Sequence, residues 1–249
     1  MTAYWLEQRE ADVPTNNDWL NTNESICLDG MRFPKRRADW RLGRWTAKCA
    51  LSIYLDVSAR PDVFRRMEIS AASSGAPEAF FDGPAPVTIS LSHRAGVAAC
   101  VVDAPGVELG CDLESVEPRG DSFVADYFTI EEQSLVAHAP AADRLTLIAL
   151  LWSAKESALK ALRTGLRLDT RSVIVIPCAT SFDRYGWSQL RVRHVADRSA
   201  GVRVFHGWWQ SADQIVRTVV SAPPPDAPIP LTTPARFFDR VSHCEATAR

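Results

Sequence analysis

The stretch 109-LGCDLE-114, followed further along by 152-WSAKESALK-160, decides how this chain is read. The first reads as a strand, where side chains two apart share one face about 7 Å from each other, so Asp112 and Glu114 point the same way. Two ionised carboxylates at that separation repel by about 2 kcal/mol at an effective dielectric near ~20, unless a cation lies between them. The second stretch reads as a helix, with Ser153, Glu156 and Lys160 on one face and Leu151, Ala154, Ala158 and Leu162 on the buried side. Glu156 therefore offers a third carboxylate, and three such oxygens completed by water suit an octahedral Mg²⁺, with Mn²⁺ as the alternative. Because Lys160 lies one turn from Glu156, the carboxyl pKa of Glu156 is expected to be held low.

Composition excludes several classes of function. The 249 residues are 46% hydrophobic and 23% charged, with a formal net charge of −2. That describes an ordinary globular protein and rules out a broadly basic, nucleic-acid-coating one. No apolar run reaches the length of a membrane span, and the acidic N-terminus lacks the basic and apolar segments of a signal peptide. A cytoplasmic monomer without nucleic-acid or membrane partners is the expectation. The cysteines at 27, 49, 100, 111, 178 and 244 show no C-x-x-C pair and no zinc-like spacing with His. They read as reduced thiols and small core residues.

Along the chain, residues 1–34 read as irregular, anchored by Trp5 and Trp19. An amphipathic helix is predicted from Arg37 to about Val57, because Ala38, Leu42, Trp45, Cys49 and Ile53 recur at threes and fours. The stretch 73-SSGAPEAFFDGPAP-86 reads as turns. Strands follow at VTISL, GVAACVV and VELGCDL, then a short helix over 131–138. A long helix is predicted from Asp143, as N-cap, to Leu162, with Gly165 past its end. The later strands are SVIVI, QLRVRHV, VRVFHGWWQ and IVRTVV. A long helix followed by strands thus occurs twice, which predicts an α+β fold of two pseudo-symmetric halves, each a long helix on a small, mostly antiparallel sheet. The expected divisions are 1–108, 109–222 and a Pro-rich, extended or disordered tail at 223–249. A ligand cleft is expected where the halves meet.

The first long helix carries Arg37, Arg41, Arg44 and Lys48 at spacings of four, three and four, preceded by Lys35 and Arg36. Cations stacked on one helix face repel, so the stripe points to a polyanion opposite. Arginine suits phosphate because its planar fork makes two parallel charge-assisted bonds.

Together, ISLSHRAG (89–96), LGCDLE (109–114), FTIEE (128–132) and WSAKESALKAL (152–162) resemble, in order and spacing, the 4′-phosphopantetheinyl transferase superfamily. The likeness is greatest to the long, two-halved kind that activates peptide and polyketide synthetases, and it spans about residues 30–220. The resemblance implies transfer of the phosphopantetheine arm of coenzyme A to a serine of an apo acyl or peptidyl carrier protein. It also implies the two-halved α+β fold with coenzyme A and Mg²⁺ between the halves. By the family pattern Asp112, Glu114 and Glu156 hold the metal, and Asp112, Glu156 and Lys160 form the catalytic set. Glu156 or a water beside the metal takes the serine proton. Coenzyme A is expected to contact Arg36, Arg37, Arg44, Lys48, Gly75, Pro77, Ser92, His93, Lys155 and Lys160, with Arg44 and His93 on its 3′-phosphate.

Three departures stand out. The family's Gly-Lys-Pro is Gly75-Ala76-Pro77 here, an aliphatic residue is replaced by Cys111, and the serine after the histidine is Arg94. Arg94 is expected to supply the cation that Ala76 lacks. Two other readings use the same residues, a metal-dependent nucleotide pyrophosphate hydrolase and a non-enzymatic coenzyme A-binding module. The first lacks a Gly-rich phosphate loop, and the second would fit a chain that had lost its metal ligands.

Overall fold

The computed structural model describes residues 2–178, 186–195 and 201–232, so of the tail expected at 223–249 only the part beyond 232 lies outside them. The fold is α+β, built on two antiparallel layers. In the first, β1 (Tyr4–Arg9) pairs with β5 (Val97–Asp103), which pairs in turn with β4 (Thr88–Arg94). On the other side of β1 lies β11 (Ile229–Pro230), in parallel, so the chain returns to its N-terminal layer after leaving it. The long helix α2 (Pro34–Tyr54) covers this sheet and buries Leu42, Trp45, Cys49 and Leu51. Pro34 starts it, where a missing N–H costs nothing.

The second layer runs β6 (Glu108–Ser115), β10 (Ile215–Ala222), β9 (Val202–Ala212), β8 (Ser188–Val195) and β7 (Val173–Pro177), antiparallel throughout. Here α6 (Arg144–Ala161) packs on β6 and β10. Gly110 on β6 is required by that packing, because a Cβ there would lie 1.8 Å from the Ser157 carbonyl oxygen. Backbone cannot yield as a side chain can, so Gly110→Ala is expected to cost about 2–3 kcal/mol, as overpacking does. A denaturant titration in which the variant keeps the wild-type midpoint would contradict this.

The two layers meet along β4 and β6 without forming one sheet. Serine hydroxyls replace the ladder: Cys111 N–H donates to Ser90 Oγ at 2.9 Å and Leu113 N–H to Ser92 Oγ at 3.2 Å. Behind them Trp5, Val97 and Val101 pack against Leu109, Leu113 and Val219. Each such side chain contributes about 1.5–3 kcal/mol on burial, so this seam outweighs the Glu7–Arg217 ion pair that ties β1 to β10.

Several expectations need correction. Residues 1–34 are not irregular: they hold β1 and the helix α1 (Thr22–Asp29). Paired on both edges and covered on both faces, β1 shows no clean alternation, and α1 has no apolar stripe to betray it. Its readable sign is the capping box of Asn21 and Glu24. The turn-rich stretch contains β3 (Pro77–Phe81), which forms a hairpin with β2 (Met67–Ala71). Helix α4 (Asp121–Tyr127) precedes α5 (Ile130–His138), and Asp143 stands at the α6 cap without donating or accepting a capping bond through its side chain.

Candidate functional site

The cavity at the α2 side has a volume of about 580 Å³ and is lined by Lys35, Arg36, Asp39, Trp40, Arg44, Gly75, Pro77, Ser92 and His93, among others. Helix α2 supplies the cations from its first turns, and the β2–β3 turn supplies Gly75, whose φ of +89 needs glycine. Arg44 lies over the Trp40 ring at 4.8 Å, and its Nε is buried with no partner among the described residues. Burial lowers its pKa, and Glu24 and Cys27 only partly oppose this. A partly buried guanidinium whose Nε is short of an acceptor is what an anion completes. His93 sits with its Nε2 3.9 Å from Asp39, and its pKa is lowered chiefly by burial.

Ser92 joins this cavity to the carboxylates. It lines the cavity and donates to Asp112 Oδ1 at 2.8 Å. Lys160 donates to the same oxygen at 2.8 Å and to the Cys111 carbonyl at 2.9 Å, so α6 is pinned to β6 at the centre of the site. Burial depresses the Lys160 pKa, but Asp112 leads the attractions that outweigh it, and the net shift is upward. Glu114 accepts from Arg119 at 2.6 Å. Its carboxyl pKa is nonetheless raised, first by burial and then by Asp112. The pKa of Glu156 is raised as well, by burial first and Asp112 next, with Lys160 opposing. The expected low pKa is therefore wrong: Lys160 gives its ammonium to Asp112, and Glu156 is left facing like charge.

A divalent cation fits this donor set. Among the described residues no three His, Cys, Asp or Glu side chains already close around one point. However, Asp112 Oδ2 is buried without a partner among the described residues, and the Glu114 and Glu156 pKa values are raised first by burial and then by Asp112. Hard carboxylate oxygens crowded in this way are relieved by a hard cation.

Four expected contacts with coenzyme A do not face the cavity. Lys48 is fully buried and bonded to Glu24 and to the Trp19 and Phe64 carbonyls at 3.1 and 2.9 Å. Lys155 is equally buried, bonded to Glu132 at 2.8 Å, to the Thr170 carbonyl at 2.9 Å and to the Val173 carbonyl. With three donors each and three acceptors each, neither has a proton left for a ligand. Arg37 is occupied by the Leu28 and Met31 carbonyls and closes the α1–α2 loop. Arg94, expected to stand in for the missing lysine, points across the strand from His93 to Ser115, Glu117 and Glu114. A cation does appear beside Ala76: Arg163, just past α6, lines a neighbouring cavity with Ala76 and Lys160.

The two buried lysines reveal a repeat that the spacing of helices only suggested. Lys48 pairs with Glu24, whose other oxygen accepts from Ile69 N–H at 3.2 Å; Lys155 pairs with Glu132, whose other oxygen accepts from Val175 N–H at 2.8 Å. Each glutamate is the third residue of a capping box, on α1 and α5. The signal was in the chain: Trp45-Thr46-Ala47-Lys48 echoes Trp152-Ser153-Ala154-Lys155. Arg119, which holds Glu114, had no such signal.

Residues 108–205 match the family model of the 4′-phosphopantetheinyl transferase superfamily. That span contains Asp112, Glu114, Glu156 and Lys160, while the basic cavity of α2 lies before it. No curated protein matches the chain.

Proposed function

We propose that the protein moves the 4′-phosphopantetheine arm of coenzyme A to a serine of an apo acyl or peptidyl carrier protein, with Mg²⁺ or Mn²⁺, and releases adenosine 3′,5′-bisphosphate. The observation that carries this reading is the Ser92–Asp112 hydrogen bond of 2.8 Å, which makes the basic cavity and the carboxylate cluster one continuous site. Coenzyme A has a 3′-phosphate at one end and a pyrophosphate further along, so it needs both. The two halves, divided near residue 108, then have distinct tasks: the first holds the nucleotide, the second the reacting phosphates.

Arg44, Arg36 and His93 receive the 3′-phosphate, and Gly75, Pro77 and Ser92 shape the wall beside it. Asp112 and Glu114 would hold the divalent cation, with Glu156 facing them; the ion would neutralise the pyrophosphate and draw charge from the phosphorus under attack. The serine oxygen bonds to the phosphorus that carries the arm, and the bridging P–O bond breaks. Glu156 takes the serine proton, and Lys160 faces the charge that develops on the leaving phosphate.

Full-length protein incubated with coenzyme A, Mg²⁺ and a panel of apo carrier domains should give carriers heavier by one phosphopantetheine in mass spectrometry. Consumption of coenzyme A without a labelled carrier would instead make it a hydrolase, and binding without consumption a non-enzymatic module. Arg44→Ala is expected to weaken coenzyme A binding by about 10- to 100-fold, the worth of a hydrogen bond to a charged group. The loss should be far smaller for 3′-dephospho-coenzyme A. Equal losses in titration calorimetry would move Arg44 away from the 3′-phosphate.

A further inference from the structure

Two cations already stand on the proposed metal ligands, and they differ in how free they are to leave. Lys160 is pinned, because its ammonium holds both Asp112 and the Cys111 carbonyl. Arg119 is held otherwise. It reaches Glu114 from the loop before α4 through Nη2 at 2.6 Å, its guanidinium lies over the Phe123 ring at 4.6 Å, and its Nε is buried with no partner among the described residues. A second carboxylate lies nearby: Glu117, half exposed and already accepting from Arg94, has its Oε1 4.0 Å from the same Nη2 and keeps lone pairs for a second donor.

The charges explain the pairing. Asp112, Glu114 and Glu156 would leave a triple negative charge in a buried site, and Lys160, Arg119 and Arg94 offset it, Arg94 standing 3.6 Å from Glu114. A divalent ion bound to Glu114 brings a second positive charge against the guanidinium, and repulsion between them then favours the arrangement in which Arg119 has moved away. Resting on the metal-site reading above, we propose that Arg119 is a built-in competitor for the metal. It occupies Glu114 until a divalent cation arrives, then passes to Glu117, and so sets how tightly the site holds the ion. Phe123 serves as the pivot, since stacking on a ring face tolerates a shift of the guanidinium in its plane.

Titration of Mn²⁺ into the full chain, followed by electron paramagnetic resonance without coenzyme A or carrier, tests this apart from any turnover. Arg119→Ala should lower the Mn²⁺ dissociation constant by about tenfold, as removal of a competing charge-assisted bond implies. Glu117→Gln should raise it, because the displaced guanidinium loses its second carboxylate. If Arg119→Ala does not fold, Arg119→Gln, which also lacks the charge, should show the same tightening. An Arg119 variant that binds Mn²⁺ as the wild type does, or more weakly, overturns the inference while a loss of binding in Asp112→Asn leaves the metal site standing. A wild type and Arg119 variants that all lack saturable Mn²⁺ binding overturn both.

Discussion

Asp112→Asn is expected to lower phosphopantetheine transfer by about 10³- to 10⁴-fold, or roughly 4–5.5 kcal/mol of transition-state stabilisation. Asp112 touches every part of the site: Ser92 of the basic cavity, Lys160 on α6, and, through a buried Oδ2 with no partner among the described residues, the place where a cation would bind. The amide keeps the shape and an oxygen that can accept from Ser92 and Lys160, but its charge is gone. The loss should therefore appear in kcat with the fold intact, and the variant should bind Mn²⁺ poorly. Single-turnover assays in excess Mg²⁺ that return near wild-type rates would remove Asp112 from the reaction.

The fully truncated variant behaves differently. From sequence, removal of one of three like charges is expected to relieve repulsion, so Asp112→Ala without metal should be at least as stable as the wild type. The structure reverses the sign. Asp112 is the acceptor for a half-buried lysine and a buried serine, and deleting it strands both donors. Because the ammonium keeps part of its hydration, the cost is about 1–2 kcal/mol, the lower part of the range for an orphaned polar group. Attraction to Lys160 at 2.8 Å outweighs repulsion from carboxylates that lie farther off and are offset by Arg119 and Arg94.

The carboxylate cluster was legible because its residues are written in local spacing. Alternation fixes Asp112 and Glu114 on one face of β6, helical periodicity fixes Glu156 and Lys160 on α6, and the apolar runs from β4 to β10 stand out as strands. What sequence does not carry is which way a cation on an amphipathic helix finally points. Lys48 and Lys155 fall on helix faces that meet α1 and α5 rather than the ligand, and only tertiary packing decides that. The glutamates that receive them lie 24 and 23 residues earlier in the chain, inside capping boxes that look purely local. Arg94 and His93 are neighbours in sequence and opposites in space, as successive strand residues must be. Strand alternation predicted that separation, and the expectation that Arg94 joins His93 at one phosphate overlooked it.

Glu156→Gln separates the two roles open to the third carboxylate. As a metal ligand Glu156 lends an oxygen that an amide partly replaces, so added Mg²⁺ would recover activity. As a general base it must accept a proton, which an amide cannot do at any metal concentration. The sequence favoured the ligand role through a low pKa beside Lys160. In the structure Lys160 is engaged with Asp112, and burial together with Asp112 raises the Glu156 carboxyl pKa from its ordinary value, so Lys160 does not tie the carboxylate up and it is left to accept a proton. A raised carboxyl also destabilises the folded protein above the unfolded pKa, with stability falling as pH rises through the folded value. The neutral amide should thus melt higher than the wild type at pH 8 and show little advantage at pH 4, in metal-free buffer. Transfer should fall by about 10²- to 10⁴-fold, the worth of a positioned base, and stay there as Mg²⁺ is raised to saturation. Recovery of most of the rate at high Mg²⁺, with coenzyme A binding unchanged, would return Glu156 to the metal and leave the serine proton to another acceptor.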